Sequence, residues 1–94
     1  MQRRNLLWKL TEGAGLSMEP ILGMPVIEIA GDCRVLIEYH KGVSEYTSDH
    51  ISVKVRYGQV CVWGERLEVA CMTSTQLIVR GNIHRLELVK GDEV

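Results

Sequence analysis

From Val26 onward the chain alternates β-branched, aliphatic and aromatic residues with polar ones, and Gly or Asx residues interrupt the alternation at short intervals. Period-two alternation of this kind is the signature of strands with one buried face. The pattern predicts strands over 26–30, 34–40, 43–46, 50–57, 60–63, 66–71, 76–80 and 83–89. Upstream the period changes. Leu6, Leu7 and Leu10 share one helical stripe beside Trp8 and Lys9, and Gly13-Ala14-Gly15 ends it because continuing a helix through glycine is costly. Ser17 to Gly23 suits a second short turn, and Pro25 forces Met24 into extended conformation. The reading is a lead segment over 1–23, with a short N-terminal helical segment, and a single β domain over 24–94.

The middle of the strand region tests its own register. With Gly58-Gln59 as a two-residue turn, Tyr57 faces Val60, Val55 faces Val62 and Lys54 faces Trp63. With Gly64-Glu65 as the next turn, Trp63 faces Arg66, Val62 faces Leu67 and Val60 faces Val69. Both turns sort Val53, Val55, Tyr57, Val60, Val62, Leu67 and Val69 onto one face, which a one-residue slip would scatter. Lys54, Arg56, Cys61, Trp63, Arg66, Glu68 and Ala70 fall on the other. Gly81-Asn82 offers a third turn, although strict pairing there carries His84 onto the Leu77–Val79 face and points to a bulge or longer loop. One apolar face on many short strands must cover itself, so an all-β antiparallel meander curled into a small roll, open barrel or sandwich is expected. A β-solenoid-like coil is the alternative. Its inward series Val55, Val62, Val69, Val79, Leu88 has unequal steps, which suit hairpins better than a fixed coil.

Composition bounds the function. The chain has 94 residues with 46% hydrophobic and 24% charged, the balance of a folded soluble domain. Its 11 basic against 12 acidic residues lack the cation excess of a dedicated nucleic-acid binder. No apolar run approaches the ~20 residues of a membrane-spanning helix. The N-terminus lacks the uninterrupted apolar stretch of about 7–15 residues that a secretion signal needs. Cys33, Cys61 and Cys71 form no CxxC pair and have no His at ligand spacing, so reduced thiols in a cytoplasmic protein are expected, without metal or cofactor.

Candidate chemistry is sparse. Glu38 and His40 share a strand face and would suit a carboxylate-oriented base, but no nucleophile or second acid sits at a recognisable offset. Asp49-His50 reads as a turn ending, with Asp49 bonding its own backbone. Gly13-Ala14-Gly15 lacks the remaining elements of a phosphate loop. The mixed face around Trp63, with Lys54, Arg56, Cys61 and Arg66, is the expected contact surface for another protein. Trp8 and the leucine stripe join it, either across an open end of the sheet or against a membrane-associated partner. The same basic and aromatic face supports an alternative, a single-stranded nucleic-acid-binding small β-barrel, diluted by Glu68 and Glu87. Open sheet edges offer a route to homo-oligomers.

Four segments then stand in a telling order: Met24-Pro25-Val26-Ile27-Glu28-Ile29-Ala30-Gly31, Ile37-Glu38-Tyr39-His40-Lys41-Gly42-Val43, Gly58-Gln59-Val60-Cys61-Val62-Trp63-Gly64-Glu65-Arg66-Leu67, and Leu77-Ile78-Val79-Arg80-Gly81-Asn82-Ile83. Together, over about residues 18–89, they resemble the YabP/YqfC sporulation protein family, and the YqfC branch more than the YabP branch. Its motif positions here are Glu38, His40, Gly42, Gly58, Gly64 and Gly81. That family often carries Asn-His-Arg-Gly where this chain reads Tyr39-His40-Lys41-Gly42. The resemblance implies endospore formation, in the mother-cell cytoplasm or peripherally at the forespore membrane. It also implies a non-enzymatic interaction and assembly role beside a membrane-bound sporulation protein.

Overall fold

The computed structural model describes residues 24–91. Six antiparallel strands form one open sheet: β1 (Val26–Ala30), β2 (Arg34–Glu38), β3 (Val43–Tyr46), β4 (His50–Val55), β5 (Gly58–Met72) and β6 (Gln76–Lys90), in the spatial order β1-β2-β6-β5-β4-β3. The all-β antiparallel expectation holds, and antiparallel neighbours throughout exclude the coil. β3 to β6 form a meander, whereas the β1–β2 hairpin joins β6 on the far side. The predicted N-terminal helical segment, with Trp8, lies outside the described residues.

Two predicted turns are absent. Segments 60–63 and 66–71 belong to the single strand β5, and 76–80 and 83–89 to the single strand β6. Gly64-Glu65 and Gly81-Asn82 instead face each other in mid-ladder: Gly64 opposes Ile83 and Glu65 opposes Asn82. Glycine followed by a polar residue reads as a turn from sequence. Here it marks the place where two backbones approach too closely for a side chain. A Cβ on Gly64 would fall on the Asn82 carbonyl oxygen, and one on Gly81 (φ +145°) would lie 2.7 Å from the Arg66 carbonyl oxygen. Register shifts crowd into 63–71, and Arg66 adopts φ 54°. Bulges bend and twist a strand, and these bend the whole β5–β6 hairpin.

The bend is severe, as backbone hydrogen bonds show. Tyr39 N–H donates to Thr75 O at 2.6 Å, and Lys41 N–H to Lys54 O at 2.7 Å. Lys54 pairs with Gln59 near one end of β5, whereas Thr75 precedes β6 beyond the other end. Gln59 and Met72 are thirteen residue steps apart, about 43 Å of straight strand at ~3.3 Å per residue. A connection two residues apart bridges both ends, so the hairpin is folded back on itself. Nine side chains from both halves then meet in one core: Val35, Ile37, Ile51, Val53, Val60, Val62, Leu67, Leu77 and Val79.

The strand order is unchanged by exchanging β1 with β3, β2 with β4, and β6 with β5. The bend follows the same two-fold pattern. Gly64 and Leu67 donate to Asp49 O and Ser48 O in the β3–β4 turn, while Gly81 and Ile83 donate to Cys33 O and Asp32 O in the β1–β2 turn. Val60-x-Val62-x-Gly64 and Leu77-x-Val79-x-Gly81 are the matching stretches of sequence.

The β4–β5 turn also moves. Val55 opposes Gly58 and His50 opposes Trp63, so Arg56-Tyr57 makes the turn and each strand sits two residues from the expected register. An even shift leaves every residue on its face. Val53, Val60, Val62 and Leu67 are therefore buried as expected, Val55 and Val69 partly so, while Tyr57 at the turn is exposed.

Replacing Gly64 with Ala is expected to cost more than about 3 kcal/mol, because backbone and not a mobile side chain occupies the space; denaturant unfolding reads it. Tyr39 sits at φ 66°, a left-handed conformation that asparagine tolerates and bulky residues resist. Tyr39→Asn is expected to raise unfolding free energy by about 0.5–1 kcal/mol. An unchanged denaturation midpoint would contradict it.

Candidate interaction surface

The face of β4 and β5 turned away from the core carries the densest set of functional groups. Alternation sends Ile51 and Val53 inward and leaves His50, Ser52 and Lys54 outward. Opposite them on β5 stand Trp63, Cys61 and Gln59, followed on β6 by Arg85, Glu87 and Val89. Glu45 on β3 completes the row beside Ser52.

His50 stacks on the Trp63 indole with ring centroids 3.8 Å apart and planes 11° from parallel. From the other neighbouring strand the Arg85 guanidinium lies 4.8 Å from the indole centroid. The indole is half-buried, and its N–H is sealed from solvent without a partner among the described groups. Flat aromatic contact and cation–π attraction together fix the ring in place.

A hydrogen-bond chain holds His50 itself. Its Nδ1 lies 3.2 Å from Glu45 Oε1 and its Nε2 2.9 Å from Ser52 Oγ, which in turn lies 3.3 Å from Cys61 Sγ. One assignment satisfies every member: Nδ1–H donates to Glu45, Ser52 O–H donates to Nε2, and the Cys61 thiol donates to Ser52 Oγ. The connectivity resembles a Ser–His–carboxylate relay. However, Ser52 is only 3% exposed and Cys61 8%. The arrangement therefore ties three strands together beneath the indole. The opposite half of the sheet has none of this chemistry: Arg34 opposes Arg80, and Leu36 opposes Ile78, at the corresponding places.

Among the residues expected to form the surface, Trp63, Cys61 and Lys54 do share it. Arg56 lies in the β4–β5 turn over the Tyr57 ring at 5.3 Å, and exposed Arg66 follows the bend at a positive φ. The cation beside Trp63 is Arg85, not Arg66 or Lys54. Sequence reasoning placed Arg85 on the same basic face as Trp63, but missed Glu45, His50 and Ser52. The His50-x-Ser52 alternation was the available signal, and the two-residue displacement of the turn, which shifts partners by four, placed Lys54 opposite Trp63 instead.

Glu38 and His40 do not form a pair. Gln76 Nε2–H donates to Glu38 Oε2 at 2.9 Å. The positive φ of Tyr39 turns the chain between them. His40 Nε2–H donates to Thr73 O at 2.8 Å, and its Nδ1 accepts from Gly42 N–H at 2.9 Å. Both imidazole nitrogens are thus used to clasp the β2–β3 connection to the β5–β6 turn. At the other turn Thr47, not Asp49, supplies the side-chain bonds: its Oγ1 accepts from Asp49 N–H and His50 N–H.

Among the described residues no group of His, Cys, Asp and Glu is placed to hold a metal ion, and no helix is long and apolar enough to cross a membrane. The model of the YabP family matches residues 24–94. Over 92 residues, covering 96% of this chain and 98% of the relative, the chain is 21% identical to the uncharacterized protein YqfC of Bacillus subtilis (strain 168). No solved structure matches it.

Ser52→Ala leaves His50 Nε2 and the Cys61 thiol without their shared partner. The expected cost is about 1–3 kcal/mol. Combined with Glu45→Gln in a double-mutant cycle, the losses should fall short of additive. Full additivity would show that the chain is not coupled through His50.

Proposed function

Because the chain belongs to the YabP family, we propose that it is a non-enzymatic sporulation protein, a small β-rich interaction module that works in the mother cell with a membrane-associated protein partner. The observation that carries this reading is the Trp63 indole, clamped between β4 and β6 by His50 and Arg85 on an outward face. Tryptophan and arginine are the residues on which protein contacts most often concentrate their energy, and a ring already held in place loses little freedom on binding. The groups that would serve catalysis are engaged in structure instead. His40 uses both nitrogens on backbone, and Ser52 is buried under its neighbours. The nucleic-acid reading has less support, because the acidic Glu45 and Glu87 flank the indole.

The test is complementation. In a sporulating strain lacking its own copy, the chain with Trp63→Ser and Arg85→Ser should restore heat-resistant spores poorly. Removing such an anchor costs about 2 kcal/mol or more of binding, roughly thirtyfold in affinity. Thermal unfolding of the purified variant must stay close to the unsubstituted chain. A folded variant that restores sporulation fully would remove this face from the proposal.

A further inference from the structure

A sheet bent back at its middle has more than two edges. β2 pairs with β6 only over Gln76–Arg80. Beyond the bend, among the described residues, β6 has β5 on one side and no strand on the other. The direction of its free groups can be read from two bonds. Gly91 N–H donates to Tyr57 O, toward the β4–β5 side, so the alternate residues Val89, Glu87 and Arg85 also point their amides toward β5. Leu86, Leu88 and Lys90 then point theirs outward, and His84 is the extra residue at the register shift. Ile83 N–H, past the register shift, is taken by Asp32 O, so the β1–β2 turn closes the open edge at that end.

The remaining edges are protected or short. β3 carries a bulge between Val43 and Glu45. The outer edge of β5 spends its Leu67 and Val69 amides on Ser48 O and Tyr46 Oη. β1 has five residues with Glu28 at its centre, so a two-fold pairing about that centre would oppose like charges. The open edge of β6 is longer, and it exposes Leu88 (65%) and Val89 (40%).

We propose that this edge joins two copies of the chain, with His84–Leu88 of each paired antiparallel about Leu86. Outward amides must face outward amides, and three such two-fold registers centre on the middle of this strand, at Leu86, Glu87 or Leu88. Centring on Glu87 opposes it to its own copy. Centring on Leu88 sets Leu86 against Lys90. Centring on Leu86 opposes Arg85 to Glu87 of the second copy twice over, sets Leu86 against itself, and lays His84 beside exposed Leu88. Arg85 and Glu87 are both more than half exposed and only loosely paired within one chain, at 4.0 Å. Cross-strand partners of opposite charge are thus available, with Arg85 exchanging its contact with the Trp63 indole for a carboxylate of the second copy. This edge borders the Trp63 face and shares Arg85 with it, but its test reads the mass and cross-linking of the purified chain alone.

Sedimentation over a concentration series is expected to show the mass rise from one chain to two. Glu87→Arg sets arginine against arginine and should hold the chain monomeric, and adding Arg85→Glu should restore the dimer with its charges exchanged. In a second measurement Cys33 and Cys71 are replaced by Ser. Leu86→Cys should then form an intermolecular disulfide under mild oxidation, because hydrogen-bonded cross-strand Cα atoms lie about 5.5 Å apart, within disulfide reach. Leu88→Cys, opposite His84, should not. A monomer at every concentration, a dimer indifferent to Glu87→Arg, or equal cross-linking by both cysteines would overturn the proposal.

Discussion

The close approach of β5 and β6 at Gly64 and Gly81 is the constraint on which everything else rests. Two straight strands of fifteen residues would reach about 50 Å at ~3.3 Å per residue, yet the molecule's longest dimension is 41 Å. Folding the hairpin at its centre turns one face of a single sheet toward itself. It is also what allows aliphatic residues far apart on the ladder to bury each other. Side chains at the crossing would hold the backbones apart, and the apolar face would stay in water.

The two halves share one scaffold and differ in what they display. Each half has a hairpin flanking one end of the long pair, with turn carbonyls receiving amides from the bend. On one outward face the matching positions hold arginines, leucine and isoleucine; on the other they hold the stacked indole and its hydrogen-bonded support. A duplicated frame carrying specialised chemistry on one side leaves the other half free to keep a stabilising role. The glycines, His40 and the left-handed backbone at Tyr39 belong to the frame.

Alternation along the chain determined much by itself. It gave the all-β class, the first four strands to within a few residues, and the division between inward aliphatics and outward polar groups. Trp63, Cys61 and Lys54 on one outward face were legible for the same reason, because side-chain parity is a local property and survives any even shift of register. What parity cannot carry is the partner across the ladder. His50 was assigned no place beside Trp63, and Arg85 only a place on the same face, since a turn two residues away preserves every face while changing every neighbour.

Only the tertiary structure decided whether a glycine followed by a polar residue turns the chain or lets two strands cross. A turn and a close crossing impose the same local demand, a residue without a side chain. They differ in what lies opposite, and that is set by contacts between residues distant in sequence: Asn82 against Gly64, Arg66 against Gly81, Thr75 and Lys54 brought within reach of one short connection. Local pattern thus chose the strands and their faces. Backbone packing at the crossing chose the bend, and through it the pairing that assembled the surface.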